Sequence, residues 1–253
     1  MQNMKEYLDN LVQKYETKDF IKNDPIQFPH RFYKKQDIEI SALIASSFAF
    51  GRREKIIEVV EKIHNLMQNE PYNFCLNYKK SDEKIFENME YRYVTNAHIL
   101  GFFQGLAEVL RYYNSLEDIF LENYSLEDFN IKNGLTGFVD RILPLNSLEN
   151  NYLLPSPNKK SACKRLNLFL KWMIRKGPVD LGLWKNISLS QLLIPIDVHV
   201  ARISRKLGLF EGKSNNWQTA EIITEKLKEF EPNDPVKYDF ALFGYGIEES
   251  KMA

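Results

Sequence analysis

Two residues in this chain have the type and placement to take part in chemistry. Lys164 lies in SACKRLNLFLKWMIRK, residues 161–176, a stretch that gathers Lys and Arg and contains no acid. On a helical wheel Leu166, Phe169, Leu170, Met173 and Ile174 form an apolar face. Lys164, Leu168, Lys171, Trp172 and Arg175 fall on a neighbouring face, where cations and an indole line up as a polyanion or a base would require. The plain alternative is a set of solvated cations with buried stems. Asp197 lies in LLIPIDVHVARISRKLGLF, residues 192–210, where a helical pattern begins. It reads either as an N-cap worth about 1 kcal/mol or as an exposed carboxylate kept ionised by the helix dipole and aimed into a cleft.

Helices must position both residues. Apolar side chains recur at helical spacing, as in Ile56, Val59, Val60, Ile63 and Met67, and again in Ile99, Phe102, Phe103, Leu106, Val109 and Leu110. Strand alternation is scarcely visible. Asp37, Thr95 and Ser115 precede periodic runs, and SLED occurs at Ser115 and again at Ser125 as a capping pattern. Prolines and glycines separate the runs, and Gly208-Leu209 marks a helix stop. The expected class is all-α. The least helical stretch runs from about Gly134 to Asn158. The expected organisation is a single unit over 1–253 with two lobes. One covers 37–176, ending in a hairpin-like segment at 155–176; the other covers 1–36 plus 177–253 and carries Asp197.

The chain has 253 residues with 34 basic and 34 acidic side chains. A zero net charge argues against a general polycation and leaves room for a local basic surface. Cys75 and Cys163 are too few for a disulfide framework or a thiolate-held cluster, and the four histidines are scattered. No metal or cofactor is expected. His199, two residues after Asp197, reads as a structural histidine. The charged N-terminus lacks a signal-peptide core, and no window reaches 18 apolar residues. A soluble cytoplasmic protein without membrane contact is expected, most simply a monomer.

The pairing of a lysine-bearing helix after a Pro-rich segment with "Ile-Asp-Val-His-Val" resembles the active-site pair of the helix-hairpin-helix (HhH-GPD) DNA glycosylase superfamily. The run from Lys164 is most similar to its iron-sulfur-free 8-oxoguanine glycosylase branches. That resemblance covers mainly residues 155–247. The marks "DPIQFPHRF", "FAFGRREKI", "SACKRLNLFLKWMIRK", "PIDVHVARISRKLGL" and "DPVKYDFALFGYGI" also resemble an uncharacterised bacterial family. The glycosylase resemblance implies a two-lobed helical fold with a cleft, and double-stranded DNA carrying a damaged base as partner. It implies Asp197 as the carboxylate that stabilises positive charge on the sugar. Lys164 becomes the amine that attacks C1′ and forms a Schiff base. No iron-sulfur cluster is implied, because no cysteines follow "FALFGYGIEES".

The family hairpin carries Gly-x-Gly, whereas "LPSPNKKSACK" has no glycine. Phosphate contact then falls to Lys159, Lys160, Ser161 or the helix N-terminus. Lys160 rivals Lys164 as nucleophile, because Lys160-Ser161-Ala162 mimics the family's Lys-x-Ala. Arg52 and Arg53, after Gly51, are candidates for phosphate contact. Trp172 and Phe243 are candidates to hold an extruded base. Two other classes remain: a catalytically inactive nucleic-acid-binding module on the same scaffold, and a helical protein-interaction domain.

Overall fold

The computed structural model describes residues 2–143, 151–159 and 161–252. Among these the α-helices are α1 (Gln2–Tyr15), α2 (Lys18–Ile21), α3 (Lys35–Ser47), α4 (Arg53–Leu66), α5 (Pro71–Asn77), α6 (Asn96–Leu110), α7 (Leu116–Leu121), α8 (Lys132–Ile142), α9 (Lys164–Ile174), α10 (Val198–Lys206), α11 (Trp217–Lys228) and α12 (Asp239–Met252). Short 3-10 turns join several of them, and the only extended pairing among the described residues is isolated bridges. The all-α expectation holds.

The chain divides into two compact units. A terminal unit comprises Met1–Asn23, Leu126–Ile131 and Lys160–Ala253; a central unit comprises Asp24–Ser125 and Lys132–Lys159. This partition differs from the expected lobes at three places. Residues 24–36 go with the central unit, while residues 126–131 and 160–176 join the unit that carries Asp197. The last difference has a physical cause, since α9 matches its buried charges with α12 and the N-terminal segment.

In the central unit the core is built from α3 to α8. His64 on α4 is fully buried, bonded to Ser41 Oγ at 2.8 Å and to the Val60 carbonyl at 2.8 Å, with the Phe28 ring stacked 4.9 Å away. Burial pulls its pKa down to about 4, so it is a neutral structural residue. The Glu39 carboxylate on α3 accepts from Ser115 Oγ at 2.7 Å and from Leu116 N at 2.9 Å, while Ser115 Oγ accepts from Glu117 N. Thus the expected cap at Ser115 is real and is tied to a second helix. The matching pattern at Ser125 starts no helix. Asp37 lies inside α3 and accepts from Tyr72 N at 3.0 Å rather than opening the helix.

Helix α8 corrects the expectation of irregular structure from residue 134. Leu135, Phe138, Val139 and Ile142 recur on one face and are all buried, and that burial outweighs the low helix propensity of Gly134 and Gly137. The end of α8 meets α6 at backbone distance. A Cβ on Gly105 of α6 would lie 1.8 Å from the Ile142 carbonyl oxygen. Gly105→Ala is therefore expected to force α6 and α8 apart and to destabilise the protein by about 1–3 kcal/mol. A urea melt of the variant with an unshifted midpoint would contradict this.

Candidate active site

The terminal unit carries Lys164 and Asp197. Helix α9 places Leu166, Phe169, Leu170, Met173 and Ile174 in the core, as the wheel requires. The neighbouring face is not the solvated strip the sequence suggested. Lys171 is 1% exposed, Trp172 2%, and Arg175 is also buried. Trp172 is thereby a core residue and not an open stacking surface, which corrects its assignment to a base pocket.

The buried cations are matched by carboxylates drawn from distant parts of the chain. Lys171 Nζ lies 3.3 Å from Asp180 Oδ1 and 3.2 Å from Asp239 Oδ2, and it sits 3.6 Å above the Phe240 ring. Arg175 pairs with Asp180 Oδ2 at 2.9 Å through Nη1 and with Asp234 Oδ2 at 2.8 Å through Nε. It also grips Glu16 with both terminal nitrogens. The chain after α9 folds back so that Leu181 N donates to the Trp172 carbonyl at 2.9 Å, which seats Asp180, fully buried, between the two cations.

Lys164 is the first residue of α9 and is half-buried. It follows Cys163, whose backbone is left-handed at φ +47°, a conformation that costs a non-glycine residue about 1–3 kcal/mol. Local bonds hold that turn. Cys163 N donates to Ser161 Oγ at 3.1 Å, and Asn167 Nδ2 donates to the Ala162 carbonyl at 3.0 Å. Burial pushes the Cys163 thiol up to about 12, so it stays protonated and is no nucleophile. Ser161 is occupied in this turn and bridges to Asn216.

Asp197 is the N-cap of α10. Its Oδ1 accepts from His199 N at 2.9 Å and from Val200 N at 2.8 Å, and the residue is partly exposed. The capping role is thus real, and it falls on one carboxylate oxygen. Helix α10 runs alongside α12 in the same direction. His199 meets the Phe243 ring edge-on at 6.1 Å, Arg202 Nη2 donates to the Gly246 carbonyl at 2.8 Å, and Arg202 and Lys206 both pair with Glu249. Parallel register sets the starts of the two helices, Asp197 and Asp239, at the same end.

Asp239 is the residue that sequence reasoning missed. It opens α12 and is 8% exposed. Burial raises its pKa to about 6; the charges of Lys171 and Lys164 oppose the shift, and that of Asp197 adds to it. Lys164 and Asp197 therefore both lie within electrostatic reach of one buried carboxyl. Lys164 and Lys171 are two helical turns apart on α9, the same face about 10 Å along the axis. Only a cap-like position before "FALFGYGI" marks Asp239 in the sequence, and that signal does not separate it from an ordinary helix start.

Phe243 is half-buried, edge-on to Phe20 at 6.3 Å. Lys159 is exposed at the end of the turn Pro157–Lys159, and Arg52, exposed, and Arg53, half-buried, start α4; all three belong to the central unit. Lys160 lies outside the described residues. Among the described residues no group of three or more His, Cys, Asp or Glu is placed to hold a metal ion. Among the same described residues no helix is long and apolar enough to cross a membrane. An open groove in the central unit, between Tyr78, Lys79, Gln104 and Arg111, contains none of these residues.

The raised proton affinity of Asp239 has a measurable sign. Its folded-state pKa exceeds the unfolded value, so the native state is favoured while the carboxyl is protonated and loses that advantage as pH rises from about 4 through about 6. The loss is on the order of 3 kcal/mol for this shift. Urea melts at several pH values are expected to show Asp239→Asn gaining stability relative to the wild type across that window. A constant offset from removing a partner of Lys171 is compatible with this; a flat difference with no pH slope is not.

No curated protein and no solved structure matches the chain. A family model described as a protein of unknown function (DUF2400) matches residues 24–248, about nine-tenths of the sequence, and spans Lys164, Asp197 and Asp239. The chain belongs to that family.

Proposed function

We propose that this protein is a DNA base-excision glycosylase of the HhH-GPD type, with AP-lyase capacity, acting on an oxidised purine such as 8-oxoguanine. The observation that carries the reading is the convergence of the Lys164 and Asp197 charges on Asp239 within one unit. The glycosylase resemblance supplies the substrate class.

In this reading Asp197 faces the deoxyribose of an extruded nucleotide. As the bond between C1′ and the base breaks, positive charge grows on the sugar, and the carboxylate stabilises it. The two backbone N–H groups on Oδ1 fix its orientation without involving Oδ2 in those bonds. Neutral Lys164 Nζ then forms a bond to C1′, the base departs with the bonding pair and takes up a proton, and the ring opens to a Schiff base. Abstraction of the 2′ proton expels the 3′ phosphate and cuts the strand. Asp239 touches Lys171 and not the substrate, and acts by setting the local field on the amine and the carboxylate.

A second reading, an inactive nucleic-acid-binding module, is favoured by one observation. The glycine-free hairpin segment offers no Gly-x-Gly amides to a phosphate, and its turn is spanned instead by Cys163 in a left-handed conformation. Borohydride trapping on a duplex with a single 8-oxoguanine separates the two. The wild type is expected to give a covalent adduct, Lys164→Gln to lose it at least 100-fold, and Asp197→Asn to slow base release by about 10²–10³. An adduct that survives Lys164→Gln but not Lys160→Gln moves the nucleophile to Lys160. No adduct and no base release from any lesion, with salt-dependent DNA binding retained, leaves the inactive module.

A further inference from the structure

The central unit carries an aromatic and cationic cluster that the proposed chemistry does not use. Tyr91 and Val94 bond to each other both ways, N to O, at 2.9 and 2.8 Å, so Arg92 and Tyr93 form the tip of a two-residue turn. Arg92 holds a left-handed backbone, φ +55°. Its guanidinium lies 5.8 Å from the Phe50 ring centroid and 5.6 Å from that of Tyr93. Gly51, φ +104°, makes room for it: a Cβ there would lie 2.5 Å from Arg92 Nη1 and 2.9 Å from the Tyr91 hydroxyl. That hydroxyl donates to the Phe50 carbonyl at 2.6 Å and fixes the turn against the segment before α4. Tyr152, from a third segment, sets its ring 6.4 Å from that of Tyr93 and meets His98 edge-on at 5.3 Å.

Single exposed tyrosines need no explanation. This cluster differs, because separate segments bring Tyr93, Tyr152 and the Arg92 guanidinium together, and Gly51 leaves the space that Arg92 Nη1 occupies. The positive φ of Arg92 is what a two-residue turn takes at its first tip position, so the turn presents the arginine without further support from its backbone. The tip is also wide: Tyr93 is 66% exposed, Tyr152 51%, and Arg92 is exposed between them and Phe50.

Flat π faces backed by a planar cation match the chemistry of an unpaired base and its phosphate. Bases stack on aromatic rings whatever their identity, and arginine adds cation–π attraction and phosphate contact. Paired bases in a duplex keep their faces covered and gain little from such a surface. We propose that Tyr93 and Tyr152, with Arg92 between Phe50 and Tyr93, form a stacking surface for unpaired nucleotides of single-stranded DNA. This goes beyond the glycosylase proposal, because binding here needs neither Lys164 nor Asp197.

The test is equilibrium binding by fluorescence anisotropy, using labelled dT12 and a 12-mer of abasic tetrahydrofuran units that has the same phosphates and no bases. The wild type is expected to bind dT12 roughly tenfold more tightly than the abasic strand, and Tyr93→Ala or Tyr152→Ala to remove most of that difference. Tyr93→Phe should keep it, because the ring remains. Both residues are exposed, and circular dichroism confirms that the variants fold. Equal affinity for the two strands, or alanine variants that behave as the wild type, overturns the proposal. Absence of dT12 binding together with self-association that the alanine variants abolish also overturns it and gives the patch to a second copy of the chain. Failure of borohydride trapping beside a positive result here removes only the glycosylase reading.

Discussion

The terminal unit depends on neutralising two buried cations. Lys171 and Arg175 are one turn apart on α9 and both point inward, where an unmatched charge is prohibitively costly. Four carboxylates answer them, each from a different place: Glu16 after α1, Asp180 on the return of the chain after α9, Asp234 ahead of α12, and Asp239 at its start. Replacing such pairs with apolar residues is often neutral in stability, so their effect is better described as geometric. Each ion pair requires one segment to lie at one distance from α9, and hydrophobic burial alone does not impose that. Removing one partner leaves a buried charge unmatched and typically costs 3–5 kcal/mol.

This constraint also explains where sequence reasoning reached and where it stopped. The apolar stripe of α9 was legible because its period is local. The polar face was not, because a buried lysine and a solvated one have the same sequence until the partner is known, and the partners of Lys171 and Arg175 lie up to 159 residues away. Local signals served well at Ser115 and at Asp197, where the cap and the helix it opens are adjacent. They misled at Ser125, whose capping pattern precedes no apolar face to bury, and at Gly134 and Gly137, whose weak propensity yields to the buried Leu135, Phe138, Val139 and Ile142. Lys164 and Asp197 were visible as residues; Asp239 was not, because burial rather than its neighbours in sequence sets it apart.

The start of α9 adds a second constraint. Cys163 holds a conformation that suits glycine, yet a glycine there would bury no side chain. The thiol fills the core while Ser161 and Asn167 satisfy the turn's backbone groups, so the strained residue is held by packing on one side and hydrogen bonds on the other. The consequence reaches Lys164 directly. Its Cα is fixed by a turn with little freedom, and its side chain leaves the first turn of a helix whose next cation on that face is locked in the ion network.

Asp197 and Asp239 show how one local signal yields two different groups. Each stands at the start of a helix, and the two helices run in parallel. Asp197 receives two backbone N–H groups on one carboxylate oxygen and keeps access to water. Asp239 is shut from water and answered mainly by Lys171, so its charge is harder to hold and it takes up a proton near pH 6. Protonation of Asp239 removes a negative charge from the vicinity of Lys164 and Asp197 alike.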